Sequence, residues 1–275
     1  MTAAIKLINR FIFTVDVRRY TTRDARRQID IQAAVGLLSD QAAVQAGLDP
    51  GLWFKQTTGD GFIAVTEGDV DSVRLVGRYP DELNRALTLY NLDRVAEARI
   101  DLRLAIHHGT IVRQDGKDDT GEAFNEVSRL LNATSLRTAL ERAAPAHLAA
   151  IVSEPVHSSI VRSTFDGLSA ASFAEVQAEV ADKDYRRTAY LYVPGLSGVA
   201  LGALLGGGDG PGPGAAGRPS AAPSGPSAPS APSGPSSDAS GPSVDMPGPR
   251  VRNSTRIKGN GNRVVNAGGD ATGSA

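Results

Sequence analysis

The sequence predicts an α+β sandwich, a central and mostly antiparallel sheet carrying helices, followed by a disordered tail. Three observations point there. β-favouring runs fall in hairpin-type pairs, at residues 52–66 and 100–113. Stretches with helical apolar spacing lie between them, and such mixing favours α+β over a doubly wound sheet. The composition then breaks near Pro194. Every aromatic residue lies at or before Tyr192, and eleven of the sixteen prolines lie in residues 211–249 among Ser, Ala and Gly. Such a segment buries too little apolar surface to offset its ordering entropy. The expected organisation is a globular domain over 1–195, a Gly/Pro/Ser/Ala-rich linker over 196–250 and an Asn/Gly-rich motif over 251–275.

The elements follow in order. Residues 10–17 (RFIFTVDV) read as a buried strand, and Thr21 or Thr22 is positioned to cap the next helix. Ile29, Ala33, Val35, Leu37, Leu38 and Val44 give that helix an apolar stripe. In residues 54–66 (FKQTTGDGFIAVT) two β-favouring runs flank Gly59-Asp60-Gly61, a strong hairpin signal because both turn positions tolerate positive φ. Residues 71–92 read as a helix that restarts or kinks at Pro80. Residues 100–108 (IDLRLAIHH) alternate like a half-buried strand, and Gly109 is expected to turn the chain into a partner strand at 110–113. Helices are expected at 121–132 and 135–144, and short strands at 149–153 and 188–193.

Composition excludes several chemistries. The chain has 275 residues, is 41% apolar, carries net charge −1 and has no cysteine. Thiolate catalysis and cysteine-held metals are out. Near-neutral charge gives no steer toward nucleic acid or a membrane surface. The four histidines, His107, His108, His147 and His157, lack metal-motif spacing, and the adjacent pair reads as structural. Apolar residues 196–205 are too few to span a bilayer, which needs about 20. A soluble, cytoplasmic protein is expected.

Four segments carry chemistry. Residues 13–20 are a strand ending on Asp16. The hairpin presents Asp60. Residues 103–109 (RLAIHHG) run into Gly109. Residues 121–129 (GEAFNEVSR) set Asn125 and Arg129 four apart, on one helix face. Alone, Asp16 reads as a helix-entry acid and Arg129 as the partner of Glu126. The ordered set, from about residue 11 to residue 193, resembles the class III nucleotide cyclase catalytic domain, and in particular a divergent actinobacterial-type branch. The resemblance implies a ferredoxin-like cyclase sandwich. It implies that Asp16, the Val17 carbonyl and Asp60 bind two divalent cations, Mg²⁺ or Mn²⁺, ions that favour carboxylate oxygens. It implies that Asn125 orients the ribose and Arg129 stabilises the transferring phosphate, turning a nucleoside triphosphate into a 3′,5′-cyclic nucleotide and pyrophosphate for intracellular signalling. Both residue sets lie in one chain, which implies a homodimer with shared sites.

The pattern departs in two places. Gln56 stands where the family's adenine-selecting lysine falls, with Asp118 as second base contact. A donor–acceptor Gln leaves the base open. Arg19 replaces the usual turn glycine, after Arg18. With Arg23, Arg26 and Arg27 these read as a solvated helix face, the alternative being phosphate contact by Arg18 or Arg19. A catalytically inactive nucleotide sensor or dimerising scaffold is the alternative function. Residues 251–275 intersperse small apolar residues with Asn and Gly and resemble bacterial amyloid-signalling motifs, which implies a protein partner.

Overall fold

The computed structural model describes residues 5–114, 119–181 and 184–206. The linker and tail expected beyond residue 206 lie outside the described residues. The elements in chain order are β1 (Ile5–Val17), α1 (Ala25–Gln45), β2 (Phe54–Thr57), β3 (Gly61–Val65), α2 (Ser72–Val76), α3 (Arg78–Asn91), β4 (Leu102–Gln114), α4 (Glu122–Leu131), α5 (Thr134–Arg142), β5 (Leu148–Ser153), α6 (Glu154–Ser159), β6 (Phe173–Glu179), β7 (Arg186–Tyr192) and α7 (Gly198–Gly206). One seven-stranded sheet has the order β2-β3-β1-β4-β5-β7-β6. Every pairing is antiparallel except β4–β5. The mixed α+β sandwich expected from the sequence is borne out.

Strand alternation sorts the buried residues into two cores. Phe13, Val15 and Val17 join Trp53, Phe62, Tyr79, Val35, Leu38, Leu83 and Leu87 on the face covered by α1 and α3. Their rings meet edge to face, with Phe13–Trp53 centroids 5.0 Å apart. Ile12 joins Val127, Leu130, Leu136, Leu140, Ile151, Leu191 and Leu201 under α4, α5 and α7.

Four local expectations are corrected. Gly109 makes no turn. The segment is one unbroken strand, β4, paired with β1 from Ile5↔Gln114 to Val17↔Leu102. A ladder along all of β1 satisfies more backbone than a local hairpin closing on itself. The cap of α1 is Asp24, which accepts from the Arg27 N–H, rather than Thr21 or Thr22. The buried face of α1 is Ile31, Val35, Leu38 and Ala42, while Ile29, Leu37 and Val44 are exposed. Folded structure also continues past the expected boundary at 195, because α7 packs Leu201 into the second core. Pro80 behaves as expected and lies in the first turn of α3, where its missing N–H costs nothing. No described helix is long and apolar enough to cross a membrane.

Candidate active site

Asp16 is the last acidic position of β1. Its carboxylate points to the α4/α5 face, as Ile12 does two turns of the pleat earlier, and it is only 4% exposed. The register brings two neighbours beside it. On one side β4 places Arg103 directly opposite, and its guanidinium donates to the Asp16 carboxylate. On the other side β3 places Gly61 opposite, so the hairpin tip with Asp60 adjoins the strand end. The Val17 N–H donates to the Asp60 carbonyl at 3.0 Å. In a strand, N–H and C=O of one residue point the same way, so the Val17 carbonyl also faces the hairpin.

The two hairpin glycines do different work. Gly59 supplies the positive φ, +58°, while Asp60 keeps an ordinary one. Gly61 permits close approach, since a Cβ there would lie 1.9 Å from the Val15 carbonyl oxygen. From α1, the Gln32 side chain donates to the Gly59 carbonyl at 2.9 Å and braces the tip.

Asn125 and Arg129 share the exposed face of α4, as their spacing requires. Glu122 joins them. Its carboxylate accepts from Asn125 at 3.2 Å and from Arg129 at 2.7 Å, and these bonds hold it below the usual carboxylate range. Glu126, expected as the local partner of Arg129, instead accepts from the Tyr185 hydroxyl at 2.7 Å. Among the described residues no hydrogen bond or ion pair links Asn125 or Arg129 to Asp16 or Asp60.

Gln56 is exposed and stands opposite Ile63, which packs on the α4 side of the sheet. Lys55 points to the other face, as alternation demands. It is paired with Asp40 and lies 5.3 Å from the Trp53 ring centroid. Asp118 lies outside the described residues. His107 is half-buried, with Nδ1 2.9 Å from the Ser153 hydroxyl, and burial lowers its pKa.

Arg19, Arg26 and Arg27 are exposed, as the expected solvated face requires, while Arg18 and Arg23 differ from it. Arg23 donates to the carbonyls of Arg18, Glu97 and Arg99, tying the β1–α1 turn to the segment before β4. Arg18 leans toward Asp101 at 3.7 Å and Glu141 at 3.8 Å. Sequence reasoning missed Arg103 and Arg137, which line one cavity with Arg18 and Arg19. Only the β1–β4 register reveals Arg103. Burial, then the charge of Arg137, lowers its pKa to about 10, so it stays a cation. Among the described residues no three His, Cys, Asp or Glu side chains form a group able to hold a metal. The carboxylates of Asp16 and Asp60 are donors of the kind hard cations take, with Arg103 standing at the first.

No protein-family model matches the sequence, and no curated protein matches it. Solved structures do. A light-regulated bacterial adenylyl cyclase matches with TM-score 0.50 at 14% identity, over 74% of this chain and 58% of that one. An adenylate/guanylate cyclase/hydrolase from Silicibacter pomeroyi is 23% identical with TM-score 0.46, over 70% of this chain and 99% of that one. The catalytic core of a rhodopsin-guanylyl cyclase of converted specificity, in complex with ATPαS, is 16% identical with TM-score 0.45, over 69% and 98%. At these identities the likeness is one of fold: the seven-stranded sheet and its helices share the architecture of the light-regulated bacterial adenylyl cyclase.

Proposed function

We propose that this chain is a metal-dependent nucleotide cyclase, cytoplasmic and homodimeric, that forms a 3′,5′-cyclic nucleotide and pyrophosphate from a nucleoside triphosphate. The observation that carries this reading is the β1–β3 register, which sets the Asp16 strand end against the Asp60 hairpin. In this reading Asp16, Asp60 and the Val17 carbonyl hold two divalent cations, Mg²⁺ or Mn²⁺. Such cations acidify the attacking hydroxyl and hold the triphosphate. Opening of the Arg103–Asp16 pair accompanies their binding. Arg129 offers a planar fork to the transferring phosphate, Asn125 orients the ribose, and both leave Glu122 to do so. Gln56 and Asp118 meet the base, whose identity stays open.

Support for shared sites is that Asn125 and Arg129 face away from their own core and, among the described residues, have no hydrogen bond or ion pair to Asp16 or Asp60. A panel of nucleoside triphosphates with Mg²⁺ or Mn²⁺, assayed for cyclic product, tests the activity. Product is expected from the native chain and none from Asp60→Ala. Asp16→Ala and Arg129→Ala are each expected to be inactive and to regain partial activity when mixed. Verified mixed dimers without recovery count against sharing.

A second reading, a nucleotide sensor or scaffold without turnover, is favoured by one observation: Asp16, Asn125 and Arg129 are all engaged by side chains of their own subunit. Nucleotide binding without cyclic product from any triphosphate identifies it. In either case residues 251–275 are proposed to engage a protein partner by cross-β assembly, and a peptide of that segment giving no cross-β diffraction refutes this.

A further inference from the structure

Glu122, Asn125, Glu126 and Arg129 form one stripe of α4, at spacings that share a helix face. Glu126 stands three residues before Arg129 and is its natural local partner. It turns instead to Tyr185, just before β7, and accepts from the hydroxyl at 2.7 Å. Tyr185 is unlike its neighbours in the chain. Asp184, Arg186 and Arg187 are exposed, whereas Tyr185 is 6% exposed and belongs to the second core. The ring is therefore fixed twice, by its body in the core and by its hydroxyl on α4. Burial, then the Glu126 carboxylate, raises the pKa of that hydroxyl, so it stays a donor through the neutral range.

Two guanidinium groups lie over this fixed ring. The Arg129 Cζ is 5.5 Å from its centroid and the Arg187 Cζ is 6.0 Å away. A cation within about 6 Å of an aromatic face is attracted by the ring's quadrupole. This hold differs in kind from the Arg129–Glu122 pair. Glu122 occupies an N–H donor and opposes the charge, so Arg129 must give it up before it can meet another anion there. The ring engages the π face of the guanidinium and leaves the N–H fork open. An Arg129 released from Glu122 keeps the ring, and its long side chain is spared part of the rotamer freedom it would otherwise lose on docking.

We propose that Tyr185 is a positioning residue for Arg129: its ring carries the guanidinium while its hydroxyl withholds Glu126, so that the N–H fork stays open to a phosphoryl group. This rests on the reading of Arg129 as the residue that meets the transferring phosphate. A side chain that only filled the core would alter stability and leave turnover per folded site alone.

Steady-state formation of cyclic product by the full chain, per folded site, tests this. Tyr185→Phe keeps the ring and frees Glu126 to compete for Arg129. Its kcat is expected to fall about fivefold, with KM for the triphosphate within about twofold of native. Adding Glu126→Gln, which removes the competing charge, is expected to restore kcat to within about twofold. Tyr185→Leu and Tyr185→Met keep apolar bulk and lose the π face; in the same Glu126→Gln background their kcat is expected to stay about tenfold low. Arg187→Gln is expected to leave kcat unchanged.

A second measurement needs no turnover. The Nε–H resonance of Arg129 in the ¹⁵N-labelled chain, identified by its disappearance in Arg129→Lys, is expected to shift when the ring is lost in Tyr185→Leu or Tyr185→Met. It is expected to stay in place in Tyr185→Phe with Glu126→Gln. The proposal is overturned by a resonance that ignores loss of the ring, or by native kcat in Tyr185→Phe. It is overturned as well by a Tyr185→Phe loss that Glu126→Gln does not restore, or by an Arg187→Gln loss equal to that of Tyr185→Leu. A native chain that makes no cyclic product from any triphosphate rejects the cyclase reading, and the ring's hold on Arg129 then stands or falls with the resonance.

Discussion

At the scale of single residues, backbone geometry makes the sharpest statements. Arg19 in the left-handed region carries a cost that glycine avoids. Arg19→Gly is expected to raise stability by about 1 kcal/mol in urea denaturation, even as it removes a cation from the cavity it lines with Arg103. A destabilised variant would mean that the side chain contributes more to the fold than its strain takes away. Gly61→Ala is expected to behave oppositely. Its Cβ would meet the Val15 carbonyl, and the strands can separate only by breaking the β1–β3 ladder. A loss of about 3 kcal/mol is expected, against almost none for a variant of an exposed residue such as Arg137→Gln. The hairpin glycines and Asp16 were legible in the sequence because their meaning is local. Arg103 was not, since its partner lies 87 residues away and pairing follows from a register that no local spacing states. Glu122 escaped notice for a related reason: it sits seven residues before Arg129, two helical turns, beyond the spacing at which pairs are usually sought.

At the scale of elements, helices were found where periodicity was strong, and their buried faces were less secure. In α1 nearly every position from Ile29 to Val44 that is not charged is apolar or small, so several stripes fit; packing against α3 selects the one through Ile31, Val35, Leu38 and Ala42. β4 was split at Gly109 because glycine signals a turn when only neighbours are considered. The long partner β1 overrides that signal. α7 was assigned to the linker because its composition is Gly-rich and it has little amphipathic pattern. What holds it is burial of Leu201 against α5 and β6. Leu201→Ala is accordingly expected to cost roughly 3 kcal/mol, lowering the melting temperature by about 2–4 °C per kcal/mol. A melting curve identical to the native one would show that α7 contributes nothing to the fold.

At the scale of the whole molecule, acid sensitivity follows from histidines. His107, His108 and His157 all have pKa values lowered by burial. The unfolded chain then binds protons more readily than the folded one once pH drops through the ordinary imidazole value of about 6.5. Stability is therefore fully present above that value, falls as pH declines toward the lowered folded values, and levels off beneath them. Urea midpoints are expected to be lower at about pH 5.5 than at about pH 7.5, with a shallower difference in His107→Gln; equal midpoints would exclude the histidines as the cause. The central position of β1 has a consequence in time. Among the described residues, its strand partners from Ile5 to Arg10 all lie in β4, whose far end is Gln114. At about 5–20 residues per second, a ribosome makes the intervening roughly 100 residues in about 5–20 s. Through that interval the nascent chain carries this strand half-paired, and the window for chaperone capture or intermolecular strand exchange is set by translation speed.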